Sequence, residues 1–145
     1  MKKLFYLSVA MLLLATSFVF SSCSNNDDEL PGNTKELLIG TWQTTWEESE
    51  LQAEGEKEPT KESHEYTRGI YTFNADNFGT FQRKKNTEEV KMKWTLNGNK
   101  LTCTAKDDAE EFTVIEISNA KLVLEMQFTG KLKGWERLTL KRIRR

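Results

Sequence analysis

Apolar and polar residues alternate along much of the chain after residue 38. One segment places an apolar residue at every second position: Val90, Met92, Trp94 and Leu96. A second segment repeats this pattern with Leu122, Leu124, Met126 and Phe128. A period of two is typical of a β-strand with one face buried and the other in water. The pattern therefore predicts strands that share one apolar face.

Eight such strands follow one another at regular steps of roughly 10–13 residues from the second strand onward. Their predicted starts are Ile39, Tyr66, Phe78, Glu89, Lys100, Glu111, Lys121 and Gly134. Asn97-Gly98 predicts a type I′ hairpin turn, and adjacent Val114 and Ile115 indicate a β-bulge. Residues 34–38 are predicted to form a short helical turn, capped by Asn33 or Thr34.

Closing the sheet removes its edges and hides one face completely. The fold class predicted for residues 34–145 is therefore all-β, an eight-stranded up-and-down antiparallel β-barrel. A barrel of this size either is filled by side chains or holds one small ligand, and the sequence leaves both alternatives open. The residues expected to face the ligand share inward parity: Trp46, Tyr71, Phe81, Met92, Trp94, Leu124, Met126 and Phe128.

The segment from Glu47 to Glu65 carries eight glutamates against two lysines and contains the chain's one histidine, His64. We expect it to form a long loop between the first two strands. Two interpretations are open: a solvated excursion that keeps the protein soluble, or a lid over the open end of the barrel.

Gly40-Thr41-Trp42 at the start of the first strand resembles the Gly-x-Trp motif of the lipocalins. Arg142 in the last strand matches the arginine that packs across this tryptophan in that family. The resemblance covers residues 34–145 and implies a lipocalin-like barrel closed at its base by Gly40, Trp42 and Arg142. The sequence departs from the family in three respects: it lacks the second and third lipocalin signatures, a disulfide pair and a C-terminal helix.

The N-terminus carries the features of an export signal. Lys2 and Lys3 precede an apolar run from Leu4 to Phe20, which is shorter than the roughly 20 residues of a membrane-spanning helix. The following Phe20-Ser21-Ser22-Cys23 resembles a bacterial lipobox. The resemblance implies that residues 1–22 are removed and that Cys23 is acylated, with palmitate among the attached chains.

Residues 23–33 are polar and acidic, as expected of a tether between a lipid anchor and a folded domain. The run Ser24 to Glu29 resembles the export signal of surface-exposed lipoproteins. We therefore expect an outer-membrane protein displayed at the cell surface, with the periplasmic face as the alternative.

The formal net charge of −1 gives no basic excess for nucleic acid. One histidine supports neither a histidine-based triad nor a multi-histidine metal site, and no phosphate-binding loop occurs. We expect no enzyme activity, no cofactor and no metal, and a monomer. The leading hypothesis is a lipid-anchored module that binds a small hydrophobic ligand; the alternative is a filled barrel that contacts a protein or glycan through its loops.

Overall fold

A computed structural model describes residues 30–67, 69–83 and 88–145 of the chain. The predicted signal peptide (1–22), the predicted acylation site Cys23 and residues 24–29 of the predicted tether lie outside the described residues. No helix in the described part of the chain has the length and hydropathy to span a membrane.

One short helix and nine strands follow one another along the described residues: α1 (Thr34–Leu38), β1 (Gly40–Ala53), β2 (Thr60–Glu65), β3 (Ile70–Phe73), β4 (Phe78–Gln82), β5 (Val90–Asn97), β6 (Lys100–Ala105), β7 (Asp108–Ile117), β8 (Lys121–Thr129) and β9 (Leu132–Arg144). Every pairing is antiparallel, and the sheet order is β2-β1-β3-β4-β5-β6-β7-β8-β9. An additional β1–β9 pairing closes the sheet. Eight strands, β1 and β3 to β9, therefore form the predicted closed barrel.

The prediction of a long loop from Glu47 to Glu65 is wrong. β1 continues to Ala53, turns, and returns as β2, which pairs with β1 from Trp46↔Glu65 to Leu51↔Thr60. The other edge of β1 pairs with β9 over the same length. Because glutamate has a low strand propensity, the sequence favoured a loop, but pairing on both edges overrides that local preference.

β2 and β3 lie beside the same edge of β1, and a break around Gly69 separates them. The buried Thr44 hydroxyl accepts a hydrogen bond from the Gly69 amide at 2.8 Å and donates one to the Gly69 carbonyl at 3.0 Å. This clamp satisfies backbone groups where the strand pairing is interrupted.

Two details of strand pairing were predicted. The register between β7 and β8 shifts between Val114 and Glu116, which confirms the bulge at Ile115. The β5–β6 hairpin also forms, but Asn97 pairs with Lys100, so the turn residues are Gly98 and Asn99. Of these two turn residues, only Gly98 has a positive φ, of 60°. This fits a type II′ turn and not the predicted type I′ turn.

One end of the barrel is closed by α1 and by the contact of Arg142 with Trp42. The guanidinium carbon lies 4.1 Å from the centroid of the indole ring, and the ring N–H donates to the Leu38 carbonyl at 2.8 Å. Arg142 also donates to the carbonyls of Leu37, Ile39 and Asn119. The predicted pairing of these two residues is present in the structure.

The half of the barrel next to this closed end is filled with apolar side chains. Eight of them are between 0 and 1% exposed: Leu38, Trp42, Phe73, Trp94, Leu101, Leu122, Leu124 and Leu140. No buried side-chain nitrogen or oxygen in the described residues lacks a hydrogen-bond partner. The closed half of the barrel is thus filled by side chains.

Candidate functional site at the open end of the barrel

A cavity of about 630 Å³ lies at the open end, on the side of β3 to β7. Its apolar wall consists of inward side chains: Tyr71, Phe81, Val90, Met92, Cys103 and Ala105. Charged side chains surround this wall: Arg83, Glu88, Lys106, Asp108 and Glu110. The cavity therefore combines an apolar interior with a charged rim.

A second lobe of about 350 Å³ lies beside the first, toward β1, β8 and β9. The two lobes share Tyr71, Phe81, Arg83 and Glu110. The second lobe adds Met126 and the carboxylates of Glu47 and Glu136. Together the two lobes and the residues that line them form the mouth of the barrel.

Four of the eight residues predicted to face a ligand line the mouth: Tyr71, Phe81, Met92 and Met126. Trp94 and Leu124 are fully buried in the solid core instead. Phe128 is half-buried and lines neither lobe of the mouth. Trp94 and Leu124 therefore lie inside the barrel as predicted, but in the half that side chains fill.

Trp46 is not inside the barrel, contrary to the prediction. Its side chain is 40% exposed, and its ring N–H donates to Glu48 at 3.1 Å on the outer face. The cause is a register shift between Thr44 and Trp46, where Thr44 pairs with Leu140 and Trp46 with Thr139. Thr45 is the extra residue, and it reverses the inward and outward positions along the rest of β1.

The same bulge directs Glu47 into the mouth, because Glu47 pairs with the inward Leu138. Glu110 and Glu136 follow from simple alternation, since they lie two residues from the buried Phe112 and Leu138. Sequence reasoning missed them by considering only apolar inward positions. Parity would have found Glu110 and Glu136, whereas Glu47 required the bulge.

The family comparison agrees with this architecture. A family model described as a lipocalin-like domain matches residues 38–124. The chain belongs to the lipocalin-like domain family. No curated protein and no solved structure matches the chain.

The last strand of this lipocalin-like domain lies outside the matched range, yet it completes the barrel. β9 pairs with both β8 and β1, and it carries Arg142 across Trp42. The family signature at the first strand and the closing arginine therefore belong to one structural unit. A lipocalin-like barrel suggests, in general, a protein that binds small molecules.

Two ionisable side chains of the lipocalin-like cavity are held in their neutral forms. Burial, with a smaller contribution from Glu110, raises the pKa of the Cys103 thiol to about 12. Burial also raises the pKa of Tyr71 far above its ordinary value, and Glu110 adds to this effect. Because a thiolate is the reactive form of cysteine, Cys103 serves as a wall residue here.

Glu136 is the third group of the mouth with a perturbed pKa. Burial raises this pKa, and the nearby carboxylates of Glu47 and Glu110 raise it further. The described residues contain no group of three or more metal-ligating side chains placed to hold a metal ion. The mouth thus offers an apolar wall, a neutral phenol and several carboxylates to an organic molecule.

Proposed function

We propose that this chain binds a small, mainly apolar molecule in the mouth of its barrel. The observation that carries the proposal is the contrast between the two ends. The closed end is packed solid around Trp42 and Trp94, whereas the open end encloses about 630 Å³ against an apolar wall. That volume lies within the range of small-molecule sites, roughly 300–1,000 Å³.

The shape of the site supports an amphipathic ligand. Phe81 stacks on Tyr71 with ring centroids 4.5 Å apart, and Met92 lies on the same inner face. Aromatic rings and a flexible thioether adapt to apolar molecules of irregular shape. The charged rim remains available to a polar head group, which would stay at the water boundary.

Filling the cavity tests the proposal directly. Ala105 lines the cavity on β6, while its neighbour Thr104 occupies the opposite face of the same strand. Ala105→Trp is expected to weaken binding of the neutral fluorescent probe N-phenyl-1-naphthylamine by about tenfold or more, because the indole occupies the site. Thr104→Trp is the matched control and is expected to bind the probe as the wild type does.

A wild-type protein that binds no apolar probe would refute the proposal. Equal probe affinity in Ala105→Trp and Thr104→Trp would place binding elsewhere on the molecule. Thermal melts of both variants establish that each is folded.

We further propose that the domain is carried on a lipid anchor at Cys23 and acts at the outer membrane as a binding protein, not as an enzyme. The support comes from the sequence: a charged n-region, an apolar run and Phe20-Ser21-Ser22-Cys23 occur in order. Because the chain contains only two cysteines, the modification has a clean control. Cys23→Ser should abolish incorporation of an alkyne-tagged palmitate, and Cys103→Ser should retain it.

The described residues support an orientation for an anchored protein. Leu30 lines a shallow depression with Leu96 and Gly98, beside the turn that follows β5. Val90, at the other end of β5, lies at the mouth, about 20 Å away at the usual rise per residue. A tether attached before Leu30 would therefore leave from the closed end and direct the mouth away from the membrane.

Surface display is the remaining part of this proposal. The run Ser24 to Glu29 supports it through its resemblance to a surface-export signal. Protease treatment of intact cells should degrade the wild-type protein and spare a variant in which Asp27, Asp28 and Glu29 are alanine. Protection of the wild type until the outer membrane is opened would assign it to the periplasmic face instead.

A further inference from the structure

The charges of the folded chain are divided between the two ends of the barrel. The segment from Glu47 to Glu65, with eight glutamates against two lysines, forms the β1–β2 hairpin at the open end. The last strand ends at the closed end in a basic run that contains Lys141, Arg142, Arg144 and Arg145. The molecule therefore has an acidic pole at the open end and a basic pole at the closed end.

The cations of the closed end are exposed and have no acidic partner. Arg142 holds the end of β9 against α1 through the carbonyls of Leu37 and Ile39, so the basic run lies beside the helix. Four exposed cations here form no ion pair with any described residue, and together they are called the basic end: Lys35, Lys141, Arg144 and Arg145.

Acidic side chains near the basic end do not neutralise it. Glu111 and Glu116 each pair with a lysine outside the basic end, at 3.5 and 2.7 Å. In the described part of the chain, the helix and turns at this end carry two further acids, Glu36 and Asp76. The four free cations therefore leave a net positive surface.

An exposed apolar side chain lies among these cations. Ile143 is 48% exposed and stands between Arg142 and Arg144 in the sequence. Cations that flank an apolar side chain are typical of surfaces that bind lipid, because the cations contact head-group phosphates and the apolar group enters the head-group layer. The closed end offers both kinds of contact.

The chain that precedes the barrel favours a lipid surface as the partner. Leu30 lines a shallow depression at the closed end together with Lys35. Six residues separate Leu30 from the proposed lipid anchor at Cys23, a reach of about 25 Å when fully extended. An anchored chain would thus keep the basic end close to lipid head groups and the acidic end far from them.

We propose that the closed end docks on an anionic lipid surface, with the basic end on the head-group phosphates and Ile143 in the head-group layer. The acidic β1–β2 hairpin is repelled by the same surface, so the mouth points away from the membrane. This inference goes beyond ligand binding in the mouth, and it rests on the proposed anchor for its choice of partner.

Vesicle co-sedimentation tests the docking without the anchor. Residues 24–145 contain α1 and all nine described strands, and the β1–β9 pairing closes the barrel within this segment, so it folds without the anchor. This segment is expected to bind vesicles of phosphatidylcholine mixed with phosphatidylglycerol about tenfold or more tightly than vesicles of phosphatidylcholine alone. High salt should remove most of this preference, because it screens the charges.

Two triple variants with equal charge changes locate the contact. The first removes three cations of the basic end: Lys141→Gln, Arg144→Gln and Arg145→Gln. The second removes three exposed cations at the open end: Lys57→Gln, Lys131→Gln and Lys133→Gln. The first is expected to bind the anionic vesicles about tenfold or more weakly than the wild type, and the second to bind them as the wild type does. Thermal melts establish that both variants are folded.

Equal binding of the wild type to the two kinds of vesicle would overturn the docking, and so would an equal loss of binding in the two variants. Assembly of the wild type into head-to-tail oligomers, measured by analytical ultracentrifugation, together with no vesicle binding would also overturn it, since the acidic end of a second copy would then be the occupant. Probe binding and palmitate labelling test the ligand and the anchor separately, so their failure is distinguished from failure of the docking.

Discussion

The guanidinium of Arg142 lies 4.1 Å above the indole ring of Trp42, joining the last strand of the barrel to the first. The same guanidinium donates hydrogen bonds to the carbonyls of Leu37, Ile39 and Asn119. One side chain thus links α1, the β7–β8 turn and both closing strands.

Arg142→Ala is expected to lower the free energy of unfolding by roughly 2–4 kcal/mol, since it loses a cation–π contact and leaves carbonyls without donors. Arg144→Ala removes the same charge from an exposed neighbour and serves as the control. Urea denaturation of both variants measures the difference. Similar midpoints for the two variants would show that the stacked guanidinium contributes little.

Gly40 has a φ of 137°, and a Cβ added there would clash with Nη1 of Arg142 and lie 2.8 Å from the Arg144 carbonyl oxygen. Gly40→Ala is therefore expected to destabilise the protein by roughly 2–4 kcal/mol through backbone strain and displacement of the arginine. Gly32→Ala is the control, because nothing lies within 4 Å of its added Cβ. A melting temperature for Gly40→Ala equal to that of Gly32→Ala would contradict this explanation of the Gly-x-Trp motif.

Glu136 should make stability fall as pH rises. Burial raises its pKa in the folded state, helped by the facing carboxylates of Glu47 and Glu110, so the folded protein holds this proton more tightly than the unfolded chain. The contribution of protonated Glu136 to the free energy of unfolding is fully present below the unfolded pKa of about 4.3. It is lost as the pH rises through the pKa of the folded state.

Glu136→Gln is consequently expected to be more stable than the wild type at pH 7, and the difference should shrink toward pH 4. Glu58→Gln, at an exposed position in the β1–β2 turn, is the control for the change in net charge. Urea denaturation across this pH range provides the measurement. A wild-type advantage at pH 7 would show that the carboxylate is stabilised by a partner.

Trp46→Phe should remove much of the tryptophan fluorescence that iodide quenches, because Trp46 is 40% exposed while Trp42 and Trp94 are fully buried. Its affinity for the apolar probe should match the wild type, since the side chain lies outside the barrel. Trp94→Phe, as the comparison, should leave the intensity that iodide quenches unchanged, because the indole it removes is fully buried. Reduced probe binding in Trp46→Phe would show that the Trp46 side chain contributes to the ligand site.

Cys103 should resist thiol reagents in the folded protein. Its pKa of about 12 leaves almost no thiolate near neutral pH, and the side chain is 6% exposed. In a Cys23→Ser chain, where Cys103 is the remaining thiol, the colour change with Ellman's reagent is expected to be slow in buffer and rapid in denaturant. Rapid reaction in buffer would mean that the cavity wall opens to solvent.

The faces of the strands could be predicted from the sequence because alternation is a local property of an extended chain. The positions of Tyr71, Phe81 and Met92 on the inner face followed from it, and so did the bulge at Ile115. The pairing of Trp42 with Arg142 was also predictable, since a family motif and strand parity indicated it together.

The orientation of Trp46 and Glu47 could not be read from local sequence. Thr45 forms a bulge only because β1 pairs with β9, which lies more than 80 residues further along the chain. The glutamate-rich segment became a hairpin for the same reason. β1 gains partners on both edges and β2 pairs with β1, and this pairing outweighs weak strand propensity.

The sequence by itself determined a one-layer sheet with an apolar inner face and the residues that close its base. Only the tertiary structure decided how much of the interior is empty and which charges face it. The reason is that alternation assigns a side chain to a face, while the position along the barrel and the strand register decide its neighbours. Glu47, Glu110 and Glu136 therefore meet in one lobe although nothing in their local sequence connects them.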